Sequence, residues 1–128
     1  MKLQRGMTGE AVTTVTHENT AAAIGAGGVE VFGTPMLIAL MENASWKAVA
    51  DALDEGYVTV GTHVTISHLA ATPLGQQVQA SAELIEIDER RLIFNVVAYD
   101  ERQKVGEGQH ERTIVNLERF LGRIKAQS

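Results

Sequence analysis

From residue 57 onward, apolar and polar positions alternate along the chain in runs separated by short polar connections. Such alternation is typical of β-strands that bury one face. It predicts four strands, at residues 57–69, 76–87, 91–99 and 105–117. The connections are too short for crossovers, so consecutive strands should pair antiparallel. A further strand, rich in Thr and Val, is predicted at residues 9–17, and a short helix is expected in the tail at residues 118–128.

Residues 34–53 have a different pattern, because apolar side chains spread around most of a helical circumference. This pattern predicts one buried helix, about 30 Å long. Gly33 precedes it, Thr34 is a candidate N-cap, and Pro35 stands where its missing N–H is harmless. One carboxylate, Glu42, lies in the most apolar part of the helix. An ionised carboxylate buried without partners is unfavourable, so Glu42 needs either a partner or a function.

A strand, a long helix and a four-stranded meander together predict a single α+β domain over residues 1–128. In the expected architecture, the hot-dog fold, an antiparallel curved sheet wraps around one long central helix. The pattern favours this architecture over a cystatin-like or ferredoxin-like roll, which remain alternatives at this point.

Composition removes several classes of function. The net charge of −5 and the lack of a Lys/Arg run argue against a nucleic-acid partner. The sequence contains no cysteine, which excludes disulfides, thiolate metal sites and cysteine nucleophiles. No stretch of about 20 apolar residues could span a membrane and no signal-peptide pattern opens the chain, so a cytoplasmic location is expected. The four histidines lack HxxxH-type spacing, so we expect neither a metal nor a cofactor.

The glycine-rich segment at residues 19–28 matches neither GxGxxG nor GxxxxGK[ST]. A phosphate-binding loop is therefore not predicted there. Small, flexible residues of this kind instead indicate a mobile loop or a flap at the mouth of a site.

Parity along the strand at residues 57–69 places His68 with the aliphatic side chains and His63 with the polar ones. The helix with Glu42 is the expected cover of the aliphatic face, so His68 and Glu42 are candidates for an acid–base pair. Each also has a plain structural explanation: His68 as a core histidine bonded to a backbone carbonyl, Glu42 as a structural carboxylate, Thr34 as a helix cap. No catalytic role is predicted for His17, His63 or His110.

Three stretches of the sequence resemble a known family. They are FGTPMLIALMENAS at the helix start, VGTHVTISHLAATPLG in the histidine strand and GEGQHERTIVNLERF in the last strand. Over residues 8–125 the chain resembles the fluoroacetyl-CoA thioesterase-like family of hot-dog proteins. Members of that family have a Thr at the helix start, a Glu eight positions later and a His before AATPxG. The matching residues here are Thr34, Glu42 and His68, with no insertion between them.

The resemblance implies an acyl-CoA thioester hydrolase that works as a homodimer or a dimer of dimers, with its sites near the subunit interface and CoA as part of the substrate. Carried over, Thr34 would position a group or relay a proton, Glu42 would be nucleophile or general base, and His68 would be the general acid/base. The backbone N–H of Gly61 would contact the acyl oxygen, and Arg112 of the HER motif would orient the acyl end or a loop.

The segment before the helix departs from the family. The fluoroacetyl-CoA enzyme is known for aromatic side chains there, which cover its small acyl group. The corresponding segment here, AAAIGAGGVEVFG, holds only Phe32, which we take as a substrate contact. Fluoroacetyl specificity is therefore not expected, and the substrate class stays at acyl thioesters. Arg91 and Lys104 are candidates for the CoA phosphates.

Two other functions remain open from the sequence. A non-catalytic hot-dog dimer could bind an acyl thioester, and another hot-dog chemistry, enoyl hydration, usually requires a different His and Asp pattern. A buried Glu–His pair has no purpose in binding alone, which favours hydrolysis.

Overall fold

The computed structural model describes residues 1–127. The helices and strands follow the predicted order: β1 (Thr8–Thr14), α1 (Thr34–Val49), β2 (Tyr57–His68), β3 (Gln77–Asp88), β4 (Arg91–Tyr99), β5 (Lys104–Asn116) and α2 (Leu117–Gln127). Single 3₁₀ turns follow β1 at His17–Asn19 and α1 at Ala50–Ala52. The predicted tail helix is present as α2, and its last predicted residue, Ser128, lies outside the described residues.

All strand pairs are antiparallel, and the strands lie in the order β1-β3-β4-β5-β2. Helix α1 packs mainly against β1 and β3 and also contacts β2, β4 and β5, so the sheet wraps around it. This is the predicted hot-dog arrangement. Strands β1 and β2 are the edges of the sheet, and β2 pairs on one side only, with β5.

Helix α1 is not buried all round, contrary to the sequence prediction. Its sheet-facing side is fully buried, at Leu37, Met41 and Ala44 for example. On the other side Trp46 is 47% exposed and the Glu42 side chain 41% exposed. One curved sheet covers one side of a helix, so the apolar residues on the opposite side of α1 have no cover within the chain.

The N-terminus of α1 differs from the prediction by one residue. The N-cap is Gly33, with extended backbone and no side-chain cap, and Thr34 is the first helical residue. A Cβ at position 33 would lie 2.8 Å from Cδ1 of Ile24, a side-chain end that can move aside, and 3.2 Å from the backbone nitrogen of Ala21. The predicted cap role of Thr34 is therefore wrong, and its hydroxyl is available for another partner.

A β-bulge changes the facing of β2. The register with β5 shifts between Gly61 and His63, so residues before and after the shift use opposite parity for the inner face. Thr59, predicted on the polar face, is 5% exposed, while His68 beyond the bulge is partly buried as predicted. The alternation rule fails here because one extra residue inverts every position on one side of it.

The glycine-rich loop folds back on itself. A β-bridge joins Thr20 to Phe32, the N–H of Ala21 donates to the carbonyl of Val31 at 2.8 Å, and the N–H of Ala26 donates to the carbonyl of Ala21 at 2.9 Å. Phe32 closes the loop and is 1% exposed, within the core. The base of the loop is thus tied to the core and its tip consists of small residues, while the predicted mobility of that tip stays a prediction.

Candidate active site

The first cluster joins the start of α1 to the end of β2. The hydroxyl oxygen of Thr34 lies 2.7 Å from Nδ1 of His68, which is a hydrogen bond between two predicted site residues. The other ring nitrogen, Nε2 of His68, is buried and makes no well-aligned hydrogen bond within residues 1–127, although the backbone of Ala70 lies close enough to the ring to oppose the effect of burial on its pKa. Burial lowers the pKa of His68, so the imidazole is neutral near pH 7. Nε2 of this neutral imidazole can accept a proton when Nδ1 carries the proton and donates to the Thr34 hydroxyl.

A cavity of about 330 Å³ opens beside this pair. Small and aliphatic side chains form most of its wall, which consists of Ala21, Val31, Phe32, Thr34, His68, Leu69, Ala70 and Ala71. Phe32 is thus a core residue that also faces the cavity. The predicted loop contributes Ala21 to the rim. The wall is chemically suited to an apolar group placed against the Thr34–His68 bond.

The second cluster surrounds Glu42, two turns further along α1. Its Oε1 lies 3.6 Å from Nη1 of Arg112 and 3.8 Å from Nε2 of His110. Gly61 of β2 lies against the same carboxylate, because a Cβ at position 61 would be 2.5 Å from Oε1 of Glu42. The glycine is needed here for close approach of the backbone to Glu42, at a point where any side chain would displace the carboxylate.

Arg112 is 7% exposed, and each of its three guanidinium nitrogens has a partner. Its Nε donates to the hydroxyl of Thr59 at 2.8 Å, its Nη2 donates to the carbonyl of Thr59 at 3.0 Å, and its Nη1 lies 3.0 Å from Nε2 of His110. Arg112 is therefore held in place by Thr59 and His110, with its positive charge beside the Glu42 carboxylate. Its predicted contact with the acyl end of a substrate remains a prediction.

The same contacts define the protonation state of His110. Its Nδ1 lies 2.9 Å from the carbonyl oxygen of His63, so Nδ1 carries the proton and Nε2 accepts from Arg112. Burial lowers the pKa of His110, and the charge of Arg112 lowers it further. Burial also lowers the pKa of Arg112, while Glu42 opposes that shift. His110 is therefore a neutral acceptor that fixes the direction of the guanidinium.

Within one chain the two clusters are separate. Thr34 and Glu42 are eight residues apart on α1, or about 12 Å along its axis. Gly61 and His68 are seven residues apart on β2, or about 23 Å along an extended strand. The expected pairing of His68 with Glu42 is not made within the chain, where His68 bonds instead to Thr34.

Two members of the second cluster, Thr59 and His110, were missed by the sequence analysis. Thr59 was hidden by the bulge, which inverts its facing. The sequence did contain a signal for His110. It precedes Arg112 by two residues in β5, and side chains at this spacing share one face of a strand, so His110 could have been placed beside Arg112.

No group of three or more metal-ligating side chains occurs within residues 1–127, and no helix in that range is long and apolar enough to cross a membrane.

The profile of a family described as fluoroacetyl-CoA-specific thioesterase, FlK, matches residues 15–118 of this chain. The chain belongs to this family. It is 38% identical over 99 residues to the fluoroacetyl-CoA thioesterase of Streptantibioticus cattleyicolor, a match that covers 77% of this chain and 71% of the relative. The family predicted from the sequence is thereby confirmed.

Solved structures agree with this family and with the hot-dog fold. The chain superposes on a structure of the fluoroacetyl-CoA thioesterase FlK with a TM-score of 0.92 and 32% identity, covering 98% of each chain. It also superposes on a Thermus thermophilus protein described as a thioesterase superfamily member, with a TM-score of 0.87 and 29% identity, covering 97% of this chain and 94% of the other. The predicted hot-dog fold and the thioester hydrolase class of the FlK family are confirmed.

Proposed function

We propose that this FlK-family chain hydrolyses an acyl-CoA thioester to a free acid and CoA. The observation that carries the proposal is the 2.7 Å hydrogen bond between Thr34 and His68 beside an apolar cavity. Family membership supports the thioester as the bond that is broken. The acyl group would lie against the alanines of the cavity, with its carbonyl near Thr34.

The complete site is composite, formed by two protomers. Each cluster lacks something within its own chain: Nε2 of His68 is buried without a well-aligned hydrogen bond, and the Glu42 side chain keeps 41% of its surface exposed. Both clusters touch β2, a twelve-residue edge strand with one unpaired side. An antiparallel pairing of two β2 strands about a two-fold axis would remove both edges. With the axis between Val64 and Thr65, Gly61 would lie opposite the partner's His68, and Glu42 beside it.

The chemistry divides between the two clusters. Glu42, held by Arg112, either activates a water molecule or attacks the thioester carbonyl carbon itself. The Gly61 N–H would donate to the oxygen that gains charge in the transition state. His68 is neutral at rest, so when Glu42 acts as the base, His68 first takes up the proton that the attacking water has given to Glu42, and it returns this proton to the CoA thiolate as the C–S bond breaks. When Glu42 attacks the carbon itself, the imidazole N–H gives its proton to the thiolate and regains one from the water that hydrolyses the acyl-enzyme. Thr34 orients His68 through their hydrogen bond and relays a proton.

The acyl group is apolar and not specifically fluoroacetyl. The cavity wall contains one aromatic side chain, Phe32, and the loop above it ends in glycine and alanine. Small residues leave space that an aromatic cover would fill, which supports acyl groups larger than a two-carbon acid.

The test is a thiol-release assay with short, branched, aromatic and long acyl-CoAs, comparing wild type with Glu42→Gln. This variant keeps the size of the side chain and removes its charge. We expect turnover of one apolar class and a loss of about 10²–10⁴-fold in the variant, with an unchanged dimer. Turnover that survives in Glu42→Gln would overturn the role of Glu42. No turnover of any acyl-CoA would favour a non-catalytic acyl-thioester-binding dimer.

A further inference from the structure

A second large groove lies between α2 and the β3–β4 turn and shares no lining residue with either cluster. Its volume is about 530 Å³. Three of its six lining residues are arginines and none is acidic; the lining comprises Arg90, Asn116, Arg119, Gly122, Arg123 and Ala126. We refer to it as the arginine groove.

The side chains of these arginines form no ion pair within residues 1–127. The other two cations considered for CoA phosphates are occupied. Arg91 lies 3.4 Å from Glu111 and 3.8 Å from Asp88, and Lys104 lies 2.9 Å from Glu107. Hence Arg91 and Lys104 are already neutralised by carboxylates of their own chain, whereas the arginine groove is open to an anion.

Clustering three cations without counter-charges is unfavourable in itself. Arg119 and Arg123 are four residues apart on one face of α2, and like charges at this spacing destabilise a helix. Carboxylates that could pair with these arginines are not scarce, since the chain has 16 acidic residues against 11 basic ones. An anion bound between the guanidiniums would turn this repulsion into attraction.

Gly122 adds an independent argument. It lies inside α2, where glycine is less favourable than alanine, and a Cβ at this position would meet nothing within 4 Å. No packing within the chain therefore requires a glycine there. A side chain at position 122 would project into the groove between Arg119 and Arg123, so the glycine keeps the groove open.

The groove lies close to the Glu42 cluster along β5. The carbonyl of Arg90 accepts a hydrogen bond from the N–H of Ile114 at 2.8 Å. Ile114 is two residues beyond Arg112, or about 7 Å along the strand. Asn116, which lines the groove, is four residues beyond Arg112, or about 13 Å. One extended ligand could therefore span from the groove toward Glu42.

We propose that the arginine groove binds the phosphate groups of the CoA moiety. This inference rests on the proposed acyl-CoA hydrolysis and adds the site that holds the nucleotide end. Guanidinium groups form paired, charge-assisted hydrogen bonds with phosphate oxygens, and three of them around one groove match the several phosphates of CoA.

The test measures binding by isothermal titration calorimetry, so it does not depend on turnover. The ligands are CoA, 3′,5′-ADP, pantetheine and inorganic phosphate, and the proteins are wild type, Arg119→Ala/Arg123→Ala and the control Arg91→Ala. Arg91 is the neighbour of Arg90 but is ion-paired. We expect the Kd of CoA and 3′,5′-ADP to rise at least about tenfold in the double variant, and to change less than about twofold in the control.

The remaining ligands identify what the groove recognises. We expect pantetheine, which has no phosphate, to bind the double variant as it binds wild type, and inorganic phosphate to bind far more weakly than 3′,5′-ADP. An unchanged Kd of CoA in the double variant, equal weakening of pantetheine, or inorganic phosphate binding as tightly as 3′,5′-ADP would each overturn the proposal.

Kinetics separate this inference from the proposed function. If wild type hydrolyses acyl-CoA and the double variant keeps the wild-type KM, hydrolysis stands and the groove assignment fails. If the double variant loses CoA binding but wild type shows no turnover, the groove assignment stands and hydrolysis fails.

Discussion

The two clusters at α1 differ in how completely their polar groups are bonded. Around Glu42, every ring nitrogen of His110 and every nitrogen of the Arg112 guanidinium has a neighbour within 3.6 Å. Around His68, Nδ1 bonds to the Thr34 hydroxyl, while the buried Nε2 makes no well-aligned hydrogen bond within residues 1–127. The saturated cluster holds a charge in place, while the unsaturated one is free to exchange a proton. Hydrolysis of a thioester requires both properties.

The largest effect should come from breaking the saturated cluster. Arg112→Met removes the guanidinium and leaves the Thr59 carbonyl, the His110 Nε2 and Glu42 without its bonds. We expect the free energy of unfolding to fall by about 2–4 kcal/mol, because buried polar groups without partners are expensive. Urea denaturation measures this directly.

Arg119→Met is the matched control, since the Arg119 side chain is exposed. Its effect should stay within about 0.5 kcal/mol. An equal loss of stability in both variants would show that the contacts of Arg112 are not responsible.

A smaller effect is expected from glycine substitutions, which separate geometry from stability. In Gly61→Ala the new methyl would lie 2.5 Å from Oε1 of Glu42, so the carboxylate must move. We expect kcat to fall about 10²-fold, because small misplacements of catalytic groups have effects of that size.

Gly122→Ala is the counterpart in open space. It should raise the free energy of unfolding by up to about 1 kcal/mol, because alanine is the better helix former. Gly61→Ala with wild-type kcat would contradict the close approach of Gly61 to Glu42.

These comparisons also show what the sequence could predict. Period-two alternation located the four strands from β2 to β5 to within one residue, because burial of one sheet face imposes that period. Strand β1, predicted at residues 9–17 from its Thr and Val content, ends three residues earlier, at Thr14. The bulge after Gly61 left no trace in the hydrophobic pattern, so the inner face of the first half of β2 was assigned wrongly. Likewise Gly33, not Thr34, caps α1, and a one-residue difference in where a helix begins is not contained in the hydrophobic pattern.

The site was predicted in part. The pair Thr34–His68 and the neighbours Gly61 and Glu42 are brought together as two groups by the fold. Which side chains contact each group depends on distances between strands and helices, and spacing along the sequence does not reveal those distances. For this reason His110 and Thr59 entered the site only with the structure.

The smallest effect concerns pH. Burial lowers the pKa of His68 and of His110 in the folded state, below the value of about 6.5 in the unfolded chain. The unfolded chain therefore binds more protons as the pH falls. The stability contributed by both groups is complete above about pH 6.5 and is lost as the pH drops through the folded pKa values.

His110→Gln should reduce this acid sensitivity, whereas exposed His63→Gln should leave it unchanged; urea titrations at pH 5 and pH 8 compare the two. An acid sensitivity in His110→Gln equal to that of wild type would contradict the buried, neutral state of His110. In activity, the requirement for neutral His68 as proton acceptor predicts an acid limb below about pH 6.5.

The composite site is the central claim, and subunit complementation tests it most directly. Glu42→Ala and His68→Ala protomers with different affinity tags are co-expressed, and the heterodimer is purified. If Glu42 of one protomer works with the partner's His68, one of two sites is intact, and we expect about half of the wild-type kcat per dimer, while each mutant homodimer is inactive. A heterodimer as inactive as both homodimers would contradict the composite site and place Glu42 and His68 of the same chain in one site.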